Sequence, residues 1–535
     1  MFKTGSFDRT VEVVVVGFGN AGAVAALTAA DHGCEVLVLE KQRADRRRPN
    51  SRFSGGLFLC PSDVDAATHY MNQLVRLNGE VAETDPAVVR AWASATADNV
   101  RWLTGNGGTV VQVADHGEHE FIEGFESISV YKPDMGEHPG GTGARGWGYG
   151  LYEFLQGLAR ERPIDIRYGA SAQWLLEDAA GRVTGVRVRD PSGRTTDVGA
   201  SRGVVLACGG FEFDPSMKLT YLKAFPTHFY GNPENTGDGV RMAMEVGADL
   251  WHMNACAARL VGHFPDSGYP GGVPLDLWGI EGMSGIKILY GDFGAGAATG
   301  RRAAGPLRVA DDVAVDVADE RLSGGIFVDR YGRRFTNELY RTHTLYYEVT
   351  GFDSHRLLYP RIPSWWVFDE ARLARGRLVP DFYGPGGPLG EIRWSDDNRA
   401  EVERGWIRRA GTLDDLADQC GMDREALRGT VDRFNAGCRD GDDEFGRLPR
   451  TLVPLTGGPF YAVRMWPGGP NTQGGARRDA DARVMRVTGE PIPGLYSAGE
   501  FGSVYGMLYP AGGGNIAECI AFGRIAGDSV AARRH

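Results

Sequence analysis

A short apolar run, Val11–Val16, breaks into Gly17, Gly19 and Gly22 at G-x-G-x-x-G spacing and then into an alanine-rich stretch. This order reads as strand, tight turn and helix. The glycines have separate work: Gly17 permits the turn, Gly19 lets the backbone approach a pyrophosphate, and Gly22 allows close packing of helix on strand. Asn20 and Ala21 lie between them at the helix N-terminus, where amide N–H groups face phosphate. A second strand, Glu35–Leu39, ends at Glu40, 21 residues after Gly19, where its carboxylate can accept the ribose hydroxyls, and Lys41 follows it. Such a unit predicts a dinucleotide site.

The choice between nicotinamide and flavin dinucleotides turns on the other end of the chain. A nicotinamide dehydrogenase has no need of a partner loop there, yet residues 496–527 return to glycine, with Gly499-Glu500 and Gly512-Gly513-Gly514-Asn515 leading into a helix. That return points to FAD. Composition agrees: 77 glycines in 535 residues suit loops that approach a cofactor closely. The net charge of −11 gives no general attraction to nucleic acid or anionic membrane. Seven scattered cysteines without a C-x-x-C pair predict neither a disulfide framework nor a metal site, and Cys34 and Cys208 read as small buried hydrophobes. No segment supplies about 18 uninterrupted apolar residues, so a soluble, cytoplasmic protein without membrane insertion is expected.

Further along, Asp63 to Trp102 reads as helical, Ile164–Tyr168 and Ala172–Glu177 as strands, and Arg182–Arg189 as the continuation of a hairpin arm. Residues 204–207 look like a buried parallel strand ending in the Cys208-Gly209 turn, placed to touch the adenine half of a flavin. Asp238 reads locally as the N-cap of helix Val240–Gly247. From about Pro274 to Pro459 the chain becomes richer in Arg, Trp and Tyr, with helices at Leu413–Cys420 and Arg424–Cys438. Ala482–Val487, a proline-rich turn at 491–494 and the strand Leu495–Ala498 then restore the earlier pattern. The expected fold class is α/β: a Rossmann-like FAD-binding domain, residues 1–273 and 460–535, interrupted by an inserted α+β capping domain, residues 274–459.

Seven motifs in order resemble the fumarate reductase and succinate dehydrogenase flavoprotein superfamily, which includes the 3-ketosteroid dehydrogenases. They are the Gly17/Gly19/Gly22 turn with Glu40-Lys41, Ser54-Gly55-Gly56, Thr236-Gly237-Asp238-Gly239, residues 332–338, Thr472-Gln473-Gly474-Gly475, residues 494–500 and Gly513-Gly514-Asn515. The resemblance implies substrate sandwiched between the cap and the isoalloxazine. It also implies that Glu500, Gly514, Asn515 and Ile516 hold the ribityl chain and the pyrimidine edge, with Ala172, Cys208, Gly209 and Asp238 toward the adenosine half. Members with covalent flavin carry a histidine ahead of the Gly-Gly; here Arg52-Phe53-Ser54 stands there, so FAD is expected to be non-covalent. Fumarate reductases grip dicarboxylates with a histidine and an arginine where this chain has Asn471 and Pro510-Ala511. Two carboxylates would each lose a charge-assisted donor worth about 1.5–3 kcal/mol.

Tyr509-Pro510-Ala511-Gly512-Gly513 is instead similar to the Tyr-Pro-x-x-Gly segment of 3-ketosteroid 1-dehydrogenases. In that family the tyrosine hydroxyl and the glycine amide bind the carbonyl oxygen, a role carried here to Tyr509 and Gly513. A cap tyrosine takes the α-proton there while flavin N5 accepts the β-hydride; the candidates are Tyr340, Tyr346 and Tyr347, with Arg341 or His343 supplying positive charge. The resemblance thus implies an FAD-dependent oxidoreductase acting on CH–CH groups, desaturating a neutral cyclic ketone or reducing the enone. Two alternatives stand beside it. One is a fumarate-reductase- or tricarballylate-dehydrogenase-like enzyme with Arg341 as acid or anchor; the other is a flavin-carrying subunit of an electron-transfer complex.

Overall fold

The computed structural model describes residues 6–77, 79–119, 121–135, 144–275, 325–338, 343, 345–379, 392–447 and 449–533. Strand β1 (Arg9–Val16) lies in the middle of the main sheet because its valines are apolar on both faces: Val13, Val14 and Val15 are fully buried. It pairs in parallel with β2 (Val36–Glu40) on one side and with Thr195–Leu206 on the other. Ile164–Tyr168 extends the sheet beyond β2, and Pro491–Ser497 extends it beyond Thr195–Leu206, both in parallel. Ser171–Glu177 and Val183–Arg189 form an antiparallel arm on the long strand. The protein is α/β, with β1 at the centre of the switch between the two directions of crossover.

Helix α1 (Asn20–Asp31) connects β1 to β2 and is apolar all round, as a fully enclosed helix must be. It packs on the final helix, Gly514–Ala532, through small residues. A Cβ on Gly523 would lie 2.9 Å from Val24 Cβ, and one on Gly527 would lie 2.6 Å from Thr28 Cβ. The alanines of α1 and the glycines of the last helix therefore permit one close contact, which draws both helix N-termini to the same end of the sheet.

A second, antiparallel sheet orders Cys256–Gly262, Phe460–Thr472, Ser364–Asp369 and Ile326–Val328, with Ile407–Ala410 also on Phe460–Thr472. Three of its strands come from the stretch of altered composition and two from the segments that flank it. Helices Leu413–Cys420 and Arg424–Asp440 cover one face with their apolar sides.

Several local readings change. The stretch Asp63–Trp102 is three helices, Val64–Leu74, Pro86–Thr96 and Asn99–Gly105, because Pro86 has no N–H to donate and starts a helix capped by the Asp85 side chain. Residues 491–494 are extended as the start of Pro491–Ser497, with the parallel ladder confined to Leu495–Ser497. Gly237, not Asp238, caps Asp238–Glu245, which leaves the Asp238 carboxylate available elsewhere. Among the described residues no helix is long and apolar enough to cross a membrane.

Candidate functional site

The C-terminal ends of β1, β2 and Thr195–Leu206 open onto an elongated cleft lined by Gly17, Gly19, Asn20, Ala21, Glu40, Lys41, Ala172, Cys208, Gly209, Asp238 and Glu500, all predicted cofactor residues. Gly17 has φ +96°, and a Cβ there would run into the Ala207 carbonyl. Gly22 is not among the residues lining the cleft, and a Cβ there would run into the Gly17 carbonyl and meet Val15. Gly19 caps α1 without a side chain, so the helix N-terminus stays open to an anion. The Asn20 amide N–H donates to Ser51 Oγ at 3.1 Å, while its fully buried side chain has no partner at Nδ2 or Oδ1.

Glu40 sits at the end of β2, accepting from the Phe18 amide at 2.9 Å and the Gln42 amide at 2.8 Å. Burial pushes its carboxyl upward, against the pull of those two N–H groups and Lys41. Each oxygen keeps a lone pair for a ligand hydroxyl. Lys41 Nζ pairs with Asp238 at 2.7 Å and donates to Thr236 at 3.1 Å, which locks one wall of the cleft.

At the other end Asn50 Nδ2 reaches both Glu500 oxygens, at 3.3 and 3.2 Å, and Asn50 Oδ1 accepts from the Asn232 amide. Glu212 lies beside Glu500. Its Oε1 accepts from the Thr472 amide and hydroxyl at 2.7 and 3.0 Å, and its Oε2 is buried without a partner. Burial, and then the neighbouring Glu212, holds the Glu500 carboxyl well above the usual range. The like charge beside it adds to the cost of ionising Glu500.

That arrangement sets a pH dependence. A raised carboxyl keeps its proton in the folded state at pH values where the unfolded chain, at about 4.3, has lost it, so its stability contribution is full at low pH and falls as pH rises. Glu500→Gln is therefore expected to flatten the decline of unfolding free energy above about pH 4.3 by up to about 1.4 kcal/mol per pH unit in the flavin-free protein. Urea titrations at successive pH values check it, and identical slopes would refute the raised Glu500 carboxyl.

Gly513, at φ +100°, caps the final helix, and a Cβ there would lie 2.6 Å from the Leu57 carbonyl. Gly514 sits under the rings of Tyr505 and Tyr509, and Ile516 is buried one residue beyond Asn515. Ser54, Gly55 and Gly56 lie beside the cleft rather than along it: Ser54 Oγ bonds to Ser51 O and the Gly56 amide within its own turn. Pro49, Asn50 and Ser51 take the lining positions. The orphan Asn20 side chain, the Gly17 turn, the α1 N-terminus and the free lone pairs of Glu40 fit a polar ligand with a phosphate group, as FAD is.

Tyr509 is 6 % exposed, and its hydroxyl accepts from the Asn515 amide at 2.7 Å. Burial raises its pKa, opposed by that N–H. Its backbone is clasped from three sides: His119 Nε2 meets Tyr509 O at 2.9 Å, while Tyr70 Oη and the Glu118 amide donate to Pro510 O at 2.8 and 3.0 Å. Asn471 forms an amide pair with Asn515 at 2.8 Å instead of presenting a cation. Tyr340 and Arg341 lie outside the described residues.

Tyr346 and Tyr347 pack against Cys256–Gly262 and each other, and Tyr347 against Lys223, in a different apolar cluster from that of Tyr509. Burial drives both phenols up, the reverse of what a tyrosinate base needs. Of the described side chains from residues 340–347, the one that meets Tyr509 is His343, with ring centroids 4.8 Å apart. Within residues 332–338, Arg334 and Glu338 are paired at 2.8 Å with both side chains buried, joined by Asp443 and Arg447.

The sequence matches the family described as FAD binding domain over residues 12–275 and 311–516. It is 28% identical to the 3-oxosteroid 1-dehydrogenase of Mycobacterium tuberculosis, over 97% of this chain and 98% of that protein. It is 27% identical to the digoxin reductase of Eggerthella lenta, over 97% and 87%. Among solved structures, the 3-ketosteroid Δ1-dehydrogenase of Sterolibacterium denitrificans in complex with 1,4-androstadiene-3,17-dione superposes with a TM-score of 0.77 at 23% identity, over 98% of this chain and all of that one. The fold, the cleft and this match over most of the sequence agree: the chain belongs to the FAD-binding domain family and is an FAD-dependent oxidoreductase of the group that holds the ketosteroid dehydrogenases and fumarate reductases.

Proposed function

We propose that the protein forms, or in reverse reduces, a carbon–carbon double bond next to the carbonyl of a neutral cyclic ketone. The observation that carries this reading is the Tyr509 hydroxyl, fixed by the Asn515 N–H in a buried site whose neighbours at 471 and 510–511 carry no positive charge. Because that oxygen accepts from Asn515, its own proton is free to be donated, and burial keeps the proton on. Tyr509 and the Gly513 amide then form a pair of donors for a ketone oxygen, and they gain strength as that oxygen becomes enolate-like. FAD, when bound, supplies the two-electron step at the β-carbon. Glu40 would hold its ribose, the α1 N-terminus its pyrophosphate, and Glu500 with Asn50 its ribityl hydroxyls. Attachment is taken as non-covalent, since Arg52-Phe53-Ser54 offers no histidine.

We take residues 274–459 as the cap that closes on substrate. Known relatives run in both directions, since the names of two similar proteins are a dehydrogenase and a reductase. A 27% identical fumarate reductase of Shewanella frigidimarina, matched over 98% of this chain, supplies the competing substrate class. The test is anaerobic: the visible absorbance of the bound flavin is followed while saturated cyclic ketones, steroidal and monocyclic, are added beside succinate and tricarballylate. Bleaching by a ketone alone is expected. Bleaching by the carboxylates alone would move the assignment to a carboxylated substrate.

A further inference from the structure

We propose that His343, oriented by Glu118, is the base that removes the α-proton of the substrate, in the place where the family uses a tyrosine. This rests on the ketone reading above. The two residues arrive from different parts of the fold. Glu118 belongs to the loop that clasps the Tyr509-Pro510 backbone, with its amide bonded to Pro510 O at 3.0 Å and its side chain 9 % exposed. His343 follows Glu338, whose carboxylate is fixed by the Phe327 amide at 3.0 Å and by Arg334 and Arg447. The two side chains meet beside Tyr509.

The geometry is that of a carboxylate-oriented imidazole. His343 Nδ1 lies 3.1 and 3.4 Å from the two Glu118 oxygens. Assigning the proton to Nδ1, as the carboxylate requires, leaves the Nε2 lone pair basic and the ring fixed. The ring sits 4.8 Å from that of Tyr509, tilted by 47°, and is 22 % exposed, so the imidazole is reachable from solvent. Tyr346 and Tyr347 are held in the cluster behind Lys223, where burial keeps them protonated.

The α-carbon–hydrogen bond breaks and its proton forms a new N–H bond at Nε2. The electron pair left behind becomes the enolate double bond, with its oxygen held by Tyr509 and Gly513. As the enolate collapses, its oxygen pair re-forms the carbonyl and its carbon pair forms the new Cα–Cβ double bond; FAD, when bound, would take up the β-hydrogen with its electron pair, and His343 returns its proton to water. Glu118 is a positioning residue that acts through His343.

The experiment uses the flavin-loaded enzyme and a saturated cyclic ketone that bleaches it. His343→Ala is expected to slow flavin reduction by about 10²–10⁴-fold and to abolish exchange of the ketone's α-hydrogens with D₂O, with the ketone's Kd unchanged and added imidazole restoring part of the rate. Glu118→Gln should lower kcat with KM held, and Glu118→Asp should recover part of it. Wild-type exchange in His343→Ala, or exchange lost in Tyr340→Phe and kept in His343→Ala, would overturn the dyad while the ketone reading stands. Failure of every ketone to bleach wild-type enzyme would overturn both.

Discussion

Tyr509→Phe is expected to slow ketone-driven bleaching of the bound flavin by about 10²–10³-fold, the usual cost of removing one donor from an oxyanion-stabilising pair. The substitution deletes one oxygen and keeps the ring, so the contacts with Tyr505 at 5.4 Å and His343 at 4.8 Å survive. It also leaves the Asn515 N–H without its 2.7 Å partner at the head of the final helix, a penalty of about 1–3 kcal/mol that falls on stability. The two effects separate by measurement. Lost transition-state stabilisation lowers kcat and kcat/KM together with ketone affinity nearly unchanged, whereas a disordered helix start raises KM and loosens FAD. Rapid-mixing bleaching traces and flavin retention on gel filtration distinguish them. A variant that bleaches at the wild-type rate would remove Tyr509 from the carbonyl site.

The parts of this protein that can be read from its sequence are those in which neighbours in the chain are neighbours in space. Val11–Val16 and its glycines become β1 and the turn into α1 because β-branching, a positive φ at Gly17 and the absence of a Cβ at Gly22 are properties of that stretch alone. Leu413–Cys420 is a helix over the bounds its pattern predicts. The contributors to the cleft that escaped are brought in by long connections. Asn50 finds Glu500, Glu212 finds Thr472, and Ser51 finds Asn20, each across a separation that no local pattern encodes.

Asp238 shows the same limit from the other side: a helix-start signal was visible, but its bond to Lys41, 197 positions away, is a property of the folded sheet. Cap tyrosines could be counted but not sorted, because burial against Cys256–Gly262 decides what Tyr346 and Tyr347 can do, and that strand lies far back in the chain. The family resemblance narrowed the chemistry to a short segment, Tyr509–Gly513. Tertiary contacts from residues 70, 118, 119 and 343 then determine how firmly that segment is held.

Behind the same segment lies the pair whose disruption should cost the most stability. Arg478 and Glu518 form an ion pair with both side chains fully buried. Glu518 also accepts from Ser503 Oγ at 2.6 Å and the Val504 amide at 3.0 Å, and the Arg478 guanidinium lies 4.3 Å from the Phe522 ring centroid. Replacing Glu518 with alanine leaves an unpaired guanidinium, a hydroxyl and an amide in the interior at once. The expected loss is about 3–5 kcal/mol, against about 0–1 kcal/mol for an exposed pair. Because the loop after Gly499 carries Glu500 and Tyr509, the urea midpoint for flavin release should fall with that for unfolding.

Arg478→Met alone should cost a similar amount, since it strands the carboxylate. Arg478→Met combined with Glu518→Leu should recover most of the loss, because two apolar side chains of similar volume remove both desolvation costs together. A double-mutant cycle on the urea midpoints therefore gives a large coupling between two singly damaging changes. Additive losses would mean that the two charges do not stabilise one another in the fold, and that the loop is held by Ser503 and Val504 through Glu518 alone.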